Sequence, residues 1–507
     1  MGLFRTKSLD VLLAQAADSE KGLKRTLGAG SLIALGIGAI IGAGLFVRTA
    51  AAAGGSAGPA VTISFVVAAI GCAFAGLCYA EFAAMIPIAG SAYTYAYTTM
   101  GEIIAWVIGW ALILEYALGA ATVSIAWSEF LNKLLNGAIP YEWCHSPFQH
   151  ALDANNVMHY GIINAPSLFV LLIISLLLIR GMQESAIVNS VIVIIKVAIV
   201  LVFIIIGWAF INPANHTPYL IPADHAPALQ PDGTLYSYTD FFNHGWGGVL
   251  RGAGIVFFAF IGFDAVSTAA QEAKNPKKDM PTGILVSLLI CTILYVLFSW
   301  VLTGVAPFTD FMKAGKEASV AYAIQTYMHY GWLATLVTIA ILLGFSSVIL
   351  VMLMGQSRVF FSMANDGLLP KVFSDVHPKF RTPYKSNILL FLFVGTFATL
   401  IPGDITGDLT SIGTLVAFVL VCAGVLIMRK KDPHRIRPFK TPLIPLVPIL
   451  GIIVCAAMIV SLETRTQVVA LIWMVIGLLI YFGYSRFHSK LKPGGEILPS
   501  ATDFEKK

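Results

Sequence analysis

Four glycines crowd nine positions, Gly36-Ile37-Gly38-Ala39-Ile40-Ile41-Gly42-Ala43-Gly44, in the first long apolar run of the chain. Glycine holds a helix poorly, so the spacing predicts a helix that breaks partway along its length. Backbone broken at membrane depth must be satisfied by protein or by a ligand-filled cavity. Its chemistry follows from the freed groups. Amides at the start of the resumed helix lie at its positive end and suit an anion such as a carboxylate. Freed carbonyls suit an ammonium. A GxxxG packing role for Gly38 and Gly42 is the competing reading.

Three ionisable residues lie well inside apolar runs: Glu115, Lys196 and Asp264. An intramembrane charge costs roughly 2.5–3.5 kcal/mol even on the lenient insertion scale, which marks each as a functional candidate. The Lys196 ammonium, in the fifth run, is expected to reach the first-run break and donate to its freed carbonyls. Glu115 is expected to be its proton-responsive partner, or else half of a static Glu–Lys pair. Asp264, just past a second break signal at Phe258-Ala259-Phe260-Ile261-Gly262-Phe263-Asp264, is placed to cap a resumed half-helix. Glu81 and Glu102 fall towards one membrane face and are expected in gate-closing polar networks.

The 507 residues are 57% hydrophobic and only 12% charged, with mean hydropathy +0.81, far below the roughly 25% charged residues of soluble domains. This is an all-α polytopic membrane protein. The formal charge of +5 comes from loops and tails, so no nucleic-acid partner is implied. The six cysteines show no metal-binding spacing and read as small buried apolar residues. No cleavable leader is evident, and Ser8 to Glu20 reads as a short amphipathic surface helix.

Twelve apolar spans are expected, at 29–53, 58–86, 97–133, 164–182, 185–212, 248–270, 281–306, 328–363, 386–402, 405–428, 441–461 and 467–487. The third and eighth are longer than a bilayer needs. Segment 213–247 lacks Lys and Arg and reads as an ordered outer loop. Basic residues concentrate on one side: Arg5, Lys7, Lys21, Lys24, Arg25, Lys274, Lys277, Lys278, Arg358, Lys371, Lys379 and the 429–440 cluster. The opposite side carries Arg48, Lys133, Lys313, Lys316 and Arg465. Both termini are therefore expected in the cytoplasm, in a multi-pass cell-membrane protein. The breaks fall in spans one and six. A repeat of five helices is inserted upside down, which sets two interrupted helices antiparallel.

With these residues in hand, the chain resembles the amino acid–polyamine–organocation superfamily, and within it the cationic amino acid transporter family. The resemblance rests on Gly38-Ala39-Ile40-Ile41-Gly42-Ala43-Gly44-Leu45-Phe46, on Phe257 to Asp264, on Glu272 to Pro281, and on Arg358 with Asp366-Gly367-Leu368-Leu369-Pro370. It implies a five-plus-five inverted-repeat fold with helices 1 and 6 broken at the midplane and two extra C-terminal helices. The corresponding units are a cytoplasmic segment 1–28, repeats 29–212 and 248–428, helices 11 and 12 in 441–487, and a tail 488–507. It also implies amino acid transport by alternating access.

By resemblance the substrate carboxylate would rest on Gly42, Ala43 and Gly44, and its ammonium on carbonyls of Ile40, Phe258, Ala259 and Ile261. Ala43 stands where many family members carry a hydroxyl, so a side-chain hydrogen bond is missing there. Phe258 would be the inner wall of the outward gate, with Glu81 in the opposite gate. The third, sixth, eighth and tenth helices would line the side-chain space, where Phe345 and Ser346 place a bulky ring beside a small hydroxyl. No spare acid stands there, so a small or medium neutral amino acid is expected, and a cationic amino acid or polyamine exchanger is the alternative. Lys196 would stand where sodium-coupled relatives hold a cation. Proton-coupled symport without bound sodium is therefore expected, and no cofactor. Membrane lipids surround the chain, and a small single-span accessory subunit stays open.

Three rivals are weaker. Gly54-Gly55-Ser56-Ala57-Gly58 matches a hydrolase GxSxG, but no strand precedes it as an elbow requires. A channel would show filter loops or charge rings. A non-transporting receptor would share the fold. The P-loop pattern is missing, which excludes ATP hydrolysis of that type within the chain.

Overall fold

The computed structural model describes residues 4–7, 27–86, 91–152, 157–181, 186–230, 232–264, 266–267, 270, 273–313, 319–380 and 382–491. The amphipathic reading at Ser8 to Glu20 and the tail beyond 491 lie outside the described residues. Among the described residues seven helical runs are long and apolar enough to cross a membrane, joined by five shorter apolar helices. In chain order the helices are α1 (Ala29–Ile40), α2 (Val61–Met85), α3 (Glu102–Leu134), α4 (Ala165–Ile179), α5 (Ala186–Gly207) and α6 (Gly245–Val256). They continue as α7 (Pro276–Val305), α8 (Gly331–Asn365), α9 (Tyr384–Leu400), α10 (Gly403–Lys431), α11 (Leu446–Ser461) and α12 (Thr464–Ile480).

Local chemistry sets several boundaries. The Asn164 side chain accepts from Ser167 N at the start of α4, with Pro166 in the first turn. Helix α10 begins with Asp404 and ends with Arg429, Lys430 and Lys431, charges that complement its dipole. Helix α3 carries a wider π-turn at Leu114–Leu118, which rotates the residues after it relative to a regular helix.

Burial ranks the helices. In its most apolar window α8 is 72% buried and α12 only 22%, so α8 runs through the core and α12 lies at the periphery. Helix α7 packs against both α1 and α2, while α8 packs against α3. The 213–247 segment, of which all but residue 231 is described, packs back on the helices. Its hairpin pairs Ala228–Leu229 with Leu235–Tyr236. Tyr236 and Tyr238 then donate to the carbonyls of Gly55 and Gly54 at 2.7 and 2.8 Å, seating the loop on the end of the first span.

The GxSxG segment is helical up to a turn at Gly58, whose φ of +58° is the left-handed conformation glycine favours. Ser56 Oγ donates to Ala52 O at 3.2 Å in that same stretch, so it forms no nucleophile elbow.

Candidate functional site

Both predicted breaks are present. Helix α1 stops at Ile40, and Ile41 is extended (φ −73°, ψ 104°). Helical structure resumes after Gly42 and continues over 44–57. At its start the amide of Leu45 donates to Gly42 O at 3.2 Å. Helix α6 tightens into a narrower coil at Phe257–Phe260. Ile261 is then extended (φ −59°, ψ 135°), and Gly262 takes φ +113°. Ile40, Gly42, Ala43, Gly44, Phe258, Ala259 and Ile261 are all buried.

The two breaks touch. A Cβ on Gly44 would lie 2.1 Å from Ala259 Cα, and one on Gly262 would lie 2.9 Å from Ala39 O. Gly44 has no room for a side chain, because the sixth-span backbone passes against it. Gly42 faces Val348 of α8, with 3.2 Å from its would-be Cβ to Cγ2.

One hydroxyl bridges the breaks. Tyr295 of α7 lies 2.9 Å from Ile40 O and 3.0 Å from Ala259 O. Its single proton is shared between two acceptors. Phe258 O accepts from Ile261 N at 3.3 Å. Three of the four carbonyls assigned to an ammonium thus already receive one bond, and each keeps a second lone pair. Sequence reading missed Tyr295, because one tyrosine in an otherwise apolar helix shows no pattern of its own.

Lys196 reaches α1 as expected: Nζ lies 2.7 Å from Gly38 O. Its stem passes over Gly344, where a Cβ would come within 2.8 Å of Lys196 Cε. Phe345 packs between Phe46 (ring centroids 6.4 Å) and Phe130 (5.6 Å). Ser346 departs from expectation. Its hydroxyl donates to Leu342 O at 2.9 Å, one turn back on α8, and is engaged with its own helix.

Glu115 also departs from its expected partner. It sits on the π-turn of α3 and is set against Asp264 and Thr414, with Lys196 instead engaged at Gly38. Asp264 Oδ2 accepts from Tyr116 at 2.7 Å. The helix that Asp264 was expected to cap would run through 265–272, most of which lies outside the described residues. Both Glu115 oxygens, Asp264 Oδ1, Tyr79 Oη and Tyr95 Oη have no hydrogen-bond partner among the described residues. Each of these side chains is fully buried or within 1% of it. Buried polar atoms are normally satisfied, so this cluster has the chemistry of a site that takes up a proton or a polar ligand.

Two ionic clusters flank the breaks. Glu81 receives Arg429 through two bonds of 2.9 Å and the amide of Thr441 at 2.8 Å, with Arg437 Nε at 3.3 Å. This fastens α2 to the end of α10. Nearby, Glu102 accepts from Tyr97 at 3.2 Å and Tyr481 at 3.0 Å, and Lys7 pairs with Asp366 at 2.9 Å. On the other side Arg48, on 44–57, pairs with Asp408 of α10. Sequence reading took Arg48 only as a topological charge. Among the described residues no group of His, Cys, Asp and Glu is arranged to hold a metal ion.

A family profile described as amino acid permease matches residues 27–484. A branched-chain amino acid permease of Bacillus subtilis (strain 168) is 45% identical over 96% of this chain and 99% of its own length. A methylthioribose transporter of the same organism is 39% identical over 96% and 99%. Vacuolar cationic amino acid transporter 4 of Arabidopsis thaliana is 32% identical over 86% of this chain and 68% of its own.

Proposed function

We propose that this chain, which belongs to the amino acid permease family, carries a neutral amino acid through the membrane by alternating access, driven by a proton gradient. The observation that carries the reading is the meeting of two interrupted helices at Gly44 and Ala259, with the carbonyls of Ile40 and Ala259 turned to one hydroxyl. An ammonium competes for those acceptors, and a carboxylate fits the amides that start the stretch 44–57. Parting of the two breaks, which now touch, is then the step that admits substrate.

A neutral, apolar side chain suits the rings of Phe46, Phe130 and Phe345 beside the first break. The branched-chain specificity in the name of the 45% identical relative agrees with that wall. One observation favours a second reading, the cationic amino acids. Glu115 and Asp264 form a carboxyl pair with no cation against it among the described ion pairs, where a guanidinium or ammonium head would be neutralised. The neutral reading is preferred because two buried carboxyls in contact can also be relieved by a proton.

Coupling is assigned to Lys196 with the pair Glu115 and Asp264. The lysine cation replaces a bound sodium at the end of α1, and the carboxyl pair receives the proton. The bias of Lys and Arg supports an orientation with both termini in the cytoplasm and the 213–247 loop outside. The breaks in spans one and six fit two inverted five-helix units. Exposed apolar faces such as that of α12 are lipid contacts.

A thermal-shift screen of the twenty amino acids on purified protein tests the substrate class. Stabilisation by leucine, isoleucine, valine or alanine is expected. Stabilisation by arginine and lysine alone would select the second reading.

A further inference from the structure

About two to four helical turns beyond the first break, the same two interrupted helices enclose a second polar space. It is a cavity of about 50 Å³ between Arg48, Ala51 and Gly55 on 44–57, Arg251 and Ile255 on α6, and Asp404 and Asp408 on α10. Glu463 and Thr466 close it from the α11–α12 turn, and Tyr236 of the outer loop lies over it.

Its charges are unequally committed. Arg251 spends its guanidinium on Ser461 O at 3.0 Å and on Asn243, with Asp240 at 3.5 Å. Arg48 is 3% exposed and pairs with Asp408, yet its Nε has no hydrogen-bond partner among the described residues. Gly407 lets that guanidinium lie flat on α10, since a Cβ there would be 3.1 Å from Arg48 Cζ. Opposite, the carboxylates of Asp404 and Glu463 are exposed and have no ion-pair partner among the described residues. Asp404 Oδ1 accepts from the amide of Ile405 at 2.9 Å, so a buried donor and two exposed carboxylates line one space.

We propose that this cavity is an encounter site for the charged backbone of the amino acid. Its carboxylate meets Arg48 and its ammonium meets Asp404 or Glu463, before the ligand passes to the breaks. The volume admits only one or two water-sized groups, which suits a carboxylate or ammonium and leaves the side chain in the vestibule. Recognition here is therefore of the part all amino acids share. A substrate carboxylate on Arg48 also competes with Asp408, so that arrival of ligand loosens the tie between 44–57 and α10. This inference rests on the transport reading above.

The test compares uptake in right-side-out and inside-out membrane vesicles for the chain carrying Asp404→Asn with Glu463→Gln, both exposed positions. Arg48→Lys is measured separately. Loss of a charge-assisted contact predicts a KM raised about tenfold from the loop side. The factor should be similar for alanine and leucine, and the KM from the opposite side should change less than twofold. An equal change on both faces, or none on the loop side, overturns the encounter site. A wild-type chain that moves no amino acid at all would instead overturn the transport reading on which it rests.

Discussion

The ammonium of Lys196 stands 2.7 Å from the carbonyl oxygen of Gly38, three residues before α1 leaves its helical path. The last carbonyls of a helix lack partners within it and carry its negative end. A cation on α5 supplies both needs. It joins the end of α1 to a helix packed on α8.

Lys196→Ala is expected to abolish accumulation of substrate against a gradient while leaving exchange of labelled for unlabelled substrate measurable in proteoliposomes. Gly344→Ala should imitate it, because the new methyl group would occupy the path of the lysine stem. Gradient-driven uptake within twofold of wild type in either variant would refute the assignment.

Tyr295→Phe removes one hydroxyl and leaves two buried carbonyls with fewer donors. The expected cost is about 1–2 kcal/mol of stability, read as a lower thermal midpoint. The KM should rise several-fold as the mutual alignment of the breaks loosens. An unchanged midpoint and KM would mean that the bridge between Ile40 and Ala259 is incidental.

Glu115→Gln and Asp264→Asn each leave one carboxyl where two faced one another. If the pair takes up the transported proton, wild-type uptake rises as the pH of the loop side falls, and each variant flattens that dependence between pH 5.5 and 8. The readout is initial uptake rate against pH. A variant with the wild-type slope would remove that residue from the coupling path.

Glycine at position 44 is set by the sixth-span backbone of the same chain, so Gly44→Ala should fail to assemble or lose nearly all transport. Its would-be Cβ overlaps backbone at Ala259. Gly42→Ala meets only the end of Val348 and should keep substantial activity. Size-exclusion profiles of both variants separate misfolding from lost transport.

Much of this arrangement is legible in the chain. The glycine-rich run and the Gly262 signal predict both interruptions, and the long apolar runs coincide with the helices. Three intramembrane charges identify the polar centre. What could not be read depends on which helix lies against which. Gly44 looks like a ligand-approach glycine until Ala259 is seen beside it, and Gly344 gains its reason only from the stem of Lys196. The partner of Glu115 could not be read either: on a π-turn its direction departs from regular helical phase, and it meets Asp264. Ser346 shows the converse limit, since a hydroxyl in a helix can turn back on its own carbonyls as easily as towards a site.

The central claim is that paired helix breaks carry an amino acid inward on a proton gradient. It is tested most directly by uptake of labelled leucine into sodium-free proteoliposomes with an acidic exterior. Accumulation above the external concentration, collapsed by a protonophore and absent with Lys196→Ala, is the result predicted. Leucine uptake indifferent to the pH gradient, or dependent on added sodium, would contradict it.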